Sequence, residues 1–153
     1  MRLKELVLVP SALVVAASWA VAADVTGAEL YGKHCVVCHQ PNGEGAPGIA
    51  PPISGNLLGR AKTAAGREFL AQIMVSGMVG TIASHGMRYL GNMPAFNTLS
   101  DGELAGVLNH VLLAFNGADL PLPPEAFAAA RKRAMPPAEV FKLRKSALAQ
   151  SGE

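Results

Sequence analysis

Cys35 and Cys38 stand on either side of Val36-Val37, are followed at once by His39, and are the only two cysteines in the chain. A thiol pair at this spacing with an adjoining imidazole admits few chemistries. A redox dithiol of the thioredoxin kind calls for a βαβ frame, and no strand period flanks the motif. A structural zinc site needs two further well-spaced ligands, and His34, next to Cys35, is poorly placed to complete a tetrahedron. A plain disulfide is the ordinary fate of paired cysteines beyond a membrane, but it leaves His39 and the long Gly/Pro loop after it without a role. Attachment of a c-type haem accounts for all of them. Each thiol adds to a haem vinyl group as a thioether, the spacing puts both sulfurs along one haem edge, and His39 turns back to the iron. The motif therefore predicts one haem c, covalently held by Cys35 and Cys38 and ligated by His39.

The oxidising compartment that such a motif suits agrees with the N-terminus. Arg2 and Lys4 precede a mostly apolar run from Leu6 to Ala17, and Ala20-Val21-Ala22 supplies small residues at the cleavage positions. Residues 1–23 are expected to be an export signal, cleaved after Ala22 or Ala23, with a periplasmic destination. The apolar run is shorter than the roughly 20 residues that span a bilayer, so membrane attachment is expected only if the signal stays uncleaved. The remaining 130 residues suit a single domain and carry 11 basic and 10 acidic residues, a balance that points to no nucleic-acid partner. The charge is unevenly spread. From Leu120 onward six Lys/Arg face three Asp/Glu, while residues 24–119 hold five against seven.

Residues 24–117 read as the main domain and 118–153 as a Pro-rich linker with a basic helical tail. Glu29 to His39 reads as a short helix entering the motif. Gln40 to Leu58, rich in Gly, Pro and Ala, is expected to be an irregular loop. Arg67 to Val75 sets Phe69, Leu70, Ile73 and Met74 on one side at helical spacing, with Gly77 as its stop. Gly80 to Asn97 reads as irregular again. Ser100 and Glu103 form a capping box for a helix whose apolar face is Leu104, Val107, Leu108, Val111, Leu112 and Phe115. Past Leu120 to Pro124, Glu125 to Arg133 and Ala138 to Leu148 are short helical candidates. With no strand-period segment in view, the expected class is all-α.

A second axial ligand must come from elsewhere, and Met with His is the pairing that raises the iron potential in cytochromes c. After the signal the chain offers Met74, Met78, Met87, Met93 and Met135. Met74 on an apolar helix face reads as core filler. Met78 and Met87 stay open on spacing alone. Met93, between Gly91-Asn92 and Pro94 and just ahead of a capped helix, is the best placed. His34, His85 and His110 read as solvated or packed histidines, Tyr89 as a haem contact or loop filler, and the tail's cations as a solvated face or a docking element.

Gly27-x-x-x-Tyr31-x-x-x-Cys35-x-x-Cys38-His39, the Gly/Pro loop Gly43 to Ile53, and Gly91-Asn92-Met93-Pro94-Ala95 ahead of Leu99-Ser100-Asp101 resemble the pattern of class I c-type cytochromes, especially bacterial periplasmic ones and cytochrome subunits of dehydrogenases. The resemblance runs from Gly27 to Phe115 and leaves the tail outside. It implies a small class I cytochrome c fold, helices and loops around one haem, here with a C-terminal helical extension. It also implies that Met93 is the distal ligand and that a proline carbonyl accepts the hydrogen bond of the His39 ring N–H, with Pro51 the best match and Pro52 next. With both axial positions filled, the expected role is single-electron transfer rather than enzymic catalysis. The expected partners are redox proteins: a periplasmic dehydrogenase, a terminal oxidase or another cytochrome. The alternative is a haem sensor or peroxidase-like enzyme with an open or displaceable sixth position.

Overall fold

The computed structural model describes residues 25–151; the export signal expected at 1–23 lies outside the described residues. Thr26 opens helix α1 (Gly27–His34), its hydroxyl taking the Glu29 N–H while the Glu29 carboxylate takes the Thr26 N–H. This second capping box is as legible in the sequence as the one at Ser100. The Cys35 N–H still bonds the Tyr31 carbonyl, and one further turn, α2 (Val36–His39), carries the motif. Helix α3 (Leu58–Lys62) precedes α4 (Ala64–Ser76), which is capped by Thr63 and stopped by Gly77 at φ 71°. Helix α5 (Asp101–His110) carries both halves of the Ser100/Glu103 box and runs on into a π-helical turn, Val111–Phe115.

The expectation of an all-α chain, with residues 80–97 irregular, is corrected by a two-stranded antiparallel sheet. Strand β1 (Met78–Ser84) pairs with β2 (Met87–Met93) from Met78↔Met93 to Ser84↔Met87. The connection is two residues, His85 and Gly86, both at positive φ (51° and 74°). Paired positive φ values define the tight turn whose twist matches that of the strands. The alternation escapes notice because small or polar residues occupy much of both strands. Only Met78, Ile82, Tyr89 and Gly91 bury a side, and Gly91 faces Gly80 closely enough that a Cβ would fall 2.5 Å from its carbonyl oxygen.

The chain from Leu120 is pinned to the domain. Asn109 uses its side-chain amide as a backbone partner, accepting from the Leu122 N–H at 2.8 Å and donating to the Leu122 carbonyl at 3.0 Å. Arg67 donates to the Pro121 carbonyl at 2.8 Å. Helix α6 (Pro124–Lys132) then packs on α4 and α5, and α7 (Pro137–Ser151) packs on α4 and β1. Phe127, Val140 and Ala147 are wholly buried, as are Leu104 and Leu112 of the main helix. The apolar face expected for the last helix, Val140, Leu143 and Ala147, is thus the face that joins the core.

Candidate cofactor site

Helix α1 delivers the motif and α5 holds α1 in place. Their backbones meet at Gly27 and Gly106, where a Cβ on Gly27 would lie 2.0 Å from the Gly106 carbonyl oxygen. Tyr31, buried on α1, packs edge-on against Phe115 at 5.1 Å and beside His110 at 5.8 Å. Its hydroxyl donates to the Gln40 carbonyl at 2.6 Å, which anchors the chain immediately after His39.

Gln40 takes a positive φ of 63° and sends the chain back over the motif. The Gly45 N–H donates to the His39 carbonyl at 3.0 Å. Gly45 also sits against the returning strand of the loop, where a Cβ would fall 2.5 Å from the Ala50 carbonyl oxygen and 2.6 Å from the Pro51 carbonyl carbon. A side chain at position 45 would push Pro51 away from His39. The irregular loop is thereby a device for bringing residues 51–53 to the motif.

These residues line one deep cavity of about 210 Å³. A single water needs only about 10–15 Å³ on this scale, so the space suits an extended cofactor. Tyr31, His34, Cys35, Cys38 and His39 form one part of its wall and Pro51, Pro52 and Ile53 another. Phe69, Leu70, Ile73 and Met74 of α4 and Met78 and Ile82 of β1 supply apolar surface. Met93, Pro94, Phe96 and Leu99 continue it, together with Val107, Leu108 and Val111.

Burial lowers the His39 pKa, opposed by the Pro51 carbonyl. Nδ1 is buried without completing a hydrogen bond of good geometry. The ring is therefore held as neutral imidazole, the form that binds a metal. Burial, and secondarily Cys38, pushes the Cys35 thiol up to about 11. A redox dithiol requires the opposite shift. Among the described residues no three His, Cys, Asp or Glu side chains gather as a metal cluster, against a zinc site. A poorly ionised Cys35 thiol, with Cys38 one helical turn on and an imidazole whose Nδ1 completes no hydrogen bond, on the wall of a large apolar cavity, fits a planar macrocycle with one metal at its centre.

All five residues singled out in the sequence, Cys35, Cys38, His39, Pro51 and Met93, line this cavity, and so does Pro52. Met74 and Met78 line it too, whereas Met87 is 43% exposed on the hairpin and Met135 packs elsewhere against the core. Met78 and Met93 are register partners at the open end of the hairpin. His34 stacks edge-on with Phe96 at 6.3 Å, His85 is an exposed turn residue, and Tyr89 is buried away from the cavity wall. Arg60 and Arg144 also reach the wall. Neither belongs to a motif, and Arg144 arrives only because α7 folds back, so the sequence held no local signal for either.

A helical frame with a small hairpin closed around one cavity, entered by Cys-x-x-Cys-His, defines a protein that keeps a single macrocycle attached to its chain. Residues 25–113 match the cytochrome c family, and the chain belongs to it; its cofactor is haem c, covalently attached. Two curated relatives, both from Thermus thermophilus, are each named cytochrome c-552. The chain is 41% identical to the first over 96 residues and 41% identical to the second over 92 residues. The matched stretches cover 63% and 60% of this chain, and 64% and 70% of the relatives.

Proposed function

We propose that this protein is a periplasmic single-electron carrier, delivered there by the export signal at residues 1–23, in which Cys35 and Cys38 would hold the haem as thioethers and His39 and Met93 would be the ligands of its iron. The observation that carries the reading is that the imidazole of His39, with Nδ1 buried, and the side chain of Met93 line the same apolar cavity. With His39 and Met93 both holding the iron, no position would be left for substrate or oxygen, and bound haem would supply a reversible one-electron change. The Pro51 carbonyl, which already opposes the effect of burial on the His39 pKa, would orient the ring by accepting from Nδ1–H once the iron holds the other nitrogen. The apolar walls from α4, β1 and α5 exclude water, which favours the less charged reduced state. Arg60 and Arg144 put positive charge on the wall of the cavity. Redox proteins, a dehydrogenase on one side and an oxidase or second cytochrome on the other, are the partners such a carrier requires.

Met78, cross-strand from Met93 and in the same cavity, is the competing ligand. Two variants of the holoprotein decide between them. In Met93→Ala the ferric Met-to-iron absorption band in the red should vanish, while Met78→Ala should keep it; the reverse result would transfer the role to Met78. A high-spin ferric spectrum in the unaltered protein, or rapid binding of carbon monoxide by its reduced form, would overturn the carrier in favour of a sensor or peroxidase-like protein.

A further inference from the structure

The six cations of the C-terminal segment are not equivalent. Lys142 pairs with Glu139 one turn away and Arg133 with Glu68, both at exposed positions. Arg131, on α6, turns inward. Its Nε donates to Asp101 Oδ1 at 2.6 Å, Nη1 to the Asn97 carbonyl at 3.0 Å, and Nη2 to the Leu99 carbonyl. One guanidinium thus holds two backbone carbonyls of the segment between Met93 and α5, together with the first residue of α5 itself.

That segment is also part of the cavity wall, through Met93, Pro94, Phe96 and Leu99. On its other side the Phe96 N–H donates to the Met74 carbonyl at 2.8 Å, at the last turn of α4. It is therefore fastened at two points, one within the region that matches the family and one from α6 beyond it. The α6 fastening is firm, because Phe127 and Ala130 of the same helix are buried. Backbone carbonyls accepting from a charged group make stronger bonds than from a neutral one, and a planar fork fixes their relative position as no single-point cation could.

We propose that Arg131 is a positioning residue that holds the Met93 segment closed over the haem, and so governs how readily the distal methionine leaves the iron. The inference rests on the reading of Met93 as ligand. It gives the C-terminal segment a task inside the molecule: α6 acts on the cofactor through the backbone of residues 97–99, without touching the cofactor itself.

The test is the rate at which imidazole displaces the methionine in the ferric holoprotein, followed as loss of the Met-to-iron band at saturating imidazole, where opening of the segment limits the rate. Arg131→Gln should raise that rate at least tenfold at a temperature where its far-ultraviolet dichroism is native. Arg131→Lys, keeping a charge for Asp101 but not the fork, should fall between Arg131→Gln and the unaltered protein. Arg133→Gln removes the neighbouring exposed pair and should stay within twofold, which separates loop closure from a general loosening of α6. An Arg131→Gln rate within twofold of the unaltered protein would overturn the proposal; should that variant fail to retain haem, an unchanged Arg131→Lys rate would overturn it equally. Absence of the band from the unaltered protein, or its survival in Met93→Ala, would instead overturn the ligand assignment, a result distinct from an unchanged rate in protein that has the band.

Discussion

The carboxylates of Glu29 and Glu103 show how single residues set the pH range in which the helices hold. Each accepts from the backbone N–H and hydroxyl of its cap, Thr26 or Ser100, and each pKa is held below its ordinary value, the backbone N–H contributing most. A carboxylate depressed in the folded state adds stability above its unfolded pKa and loses it as the pH falls through the folded one. The helix-opening contribution should therefore fade as the pH drops below 4.5. Replacing Glu103 by Gln keeps the hydrogen bond without the titration, so the variant should lose less stability than the unaltered protein between pH 5 and pH 3. Chemical denaturation at the two pH values measures the difference, and parallel losses would remove Glu103 from the acid response. Ser100-x-x-Glu103 was legible because its bonds lie within four residues of chain. Pro51 beside His39 was reachable only through the family resemblance, because the loop that brings it there has no period.

At the scale of elements, the crossing of α1 and α5 decides whether the motif faces a cavity at all. A Cβ on Gly27 would lie 2.0 Å from the Gly106 carbonyl oxygen and 3.2 Å from the Val107 nitrogen, both backbone atoms that cannot rotate aside. Gly27→Ala should force the helices apart and cost about 1–3 kcal/mol, the usual penalty for overpacking a close contact. Thermal unfolding of the holoprotein reads this directly, and an unchanged midpoint would show that the crossing relaxes freely. The hairpin is the element that sequence reading missed. Its strands carry Gly80 and Gly91 and exposed Val79 and Leu90, so apolar residues do not alternate cleanly. Its turn is His85-Gly86, where the sequence shows only one glycine. The pairing becomes stable because one side lies on α7, where the place of a Gly80 Cβ is 2.6 Å from the Phe141 ring. That support lies far along the chain, out of reach of any local period.

On the scale of the whole molecule, the core runs from α1 to α7 without a break. Phe127, from the segment beyond the family match, is wholly buried. Phe127→Ala should cost about 3–5 kcal/mol, as large-to-small changes of buried aromatics do. Guanidinium denaturation of the holoprotein measures it, and a loss below about 1 kcal/mol would mean that α6 rests on the domain without belonging to its core. The basic character of this segment is correspondingly divided: Arg131 bonds inward and Arg144 reaches the cavity wall, while Lys132, Lys142 and Lys145 are exposed.

Cys35-Val36-Val37-Cys38-His39 by itself determined the cofactor, because covalent attachment needs only two thiols and an imidazole at short range along one chain. The helices with caps and apolar faces were legible for the same reason, their bonds and neighbours lying three or four residues apart. Tertiary structure alone decided which methionines reach the cavity, that Gly80 to Asn97 contains paired strands, and that the C-terminal helices close the molecule. Each of these depends on contacts between residues far apart in the chain, and such contacts leave no period in the sequence.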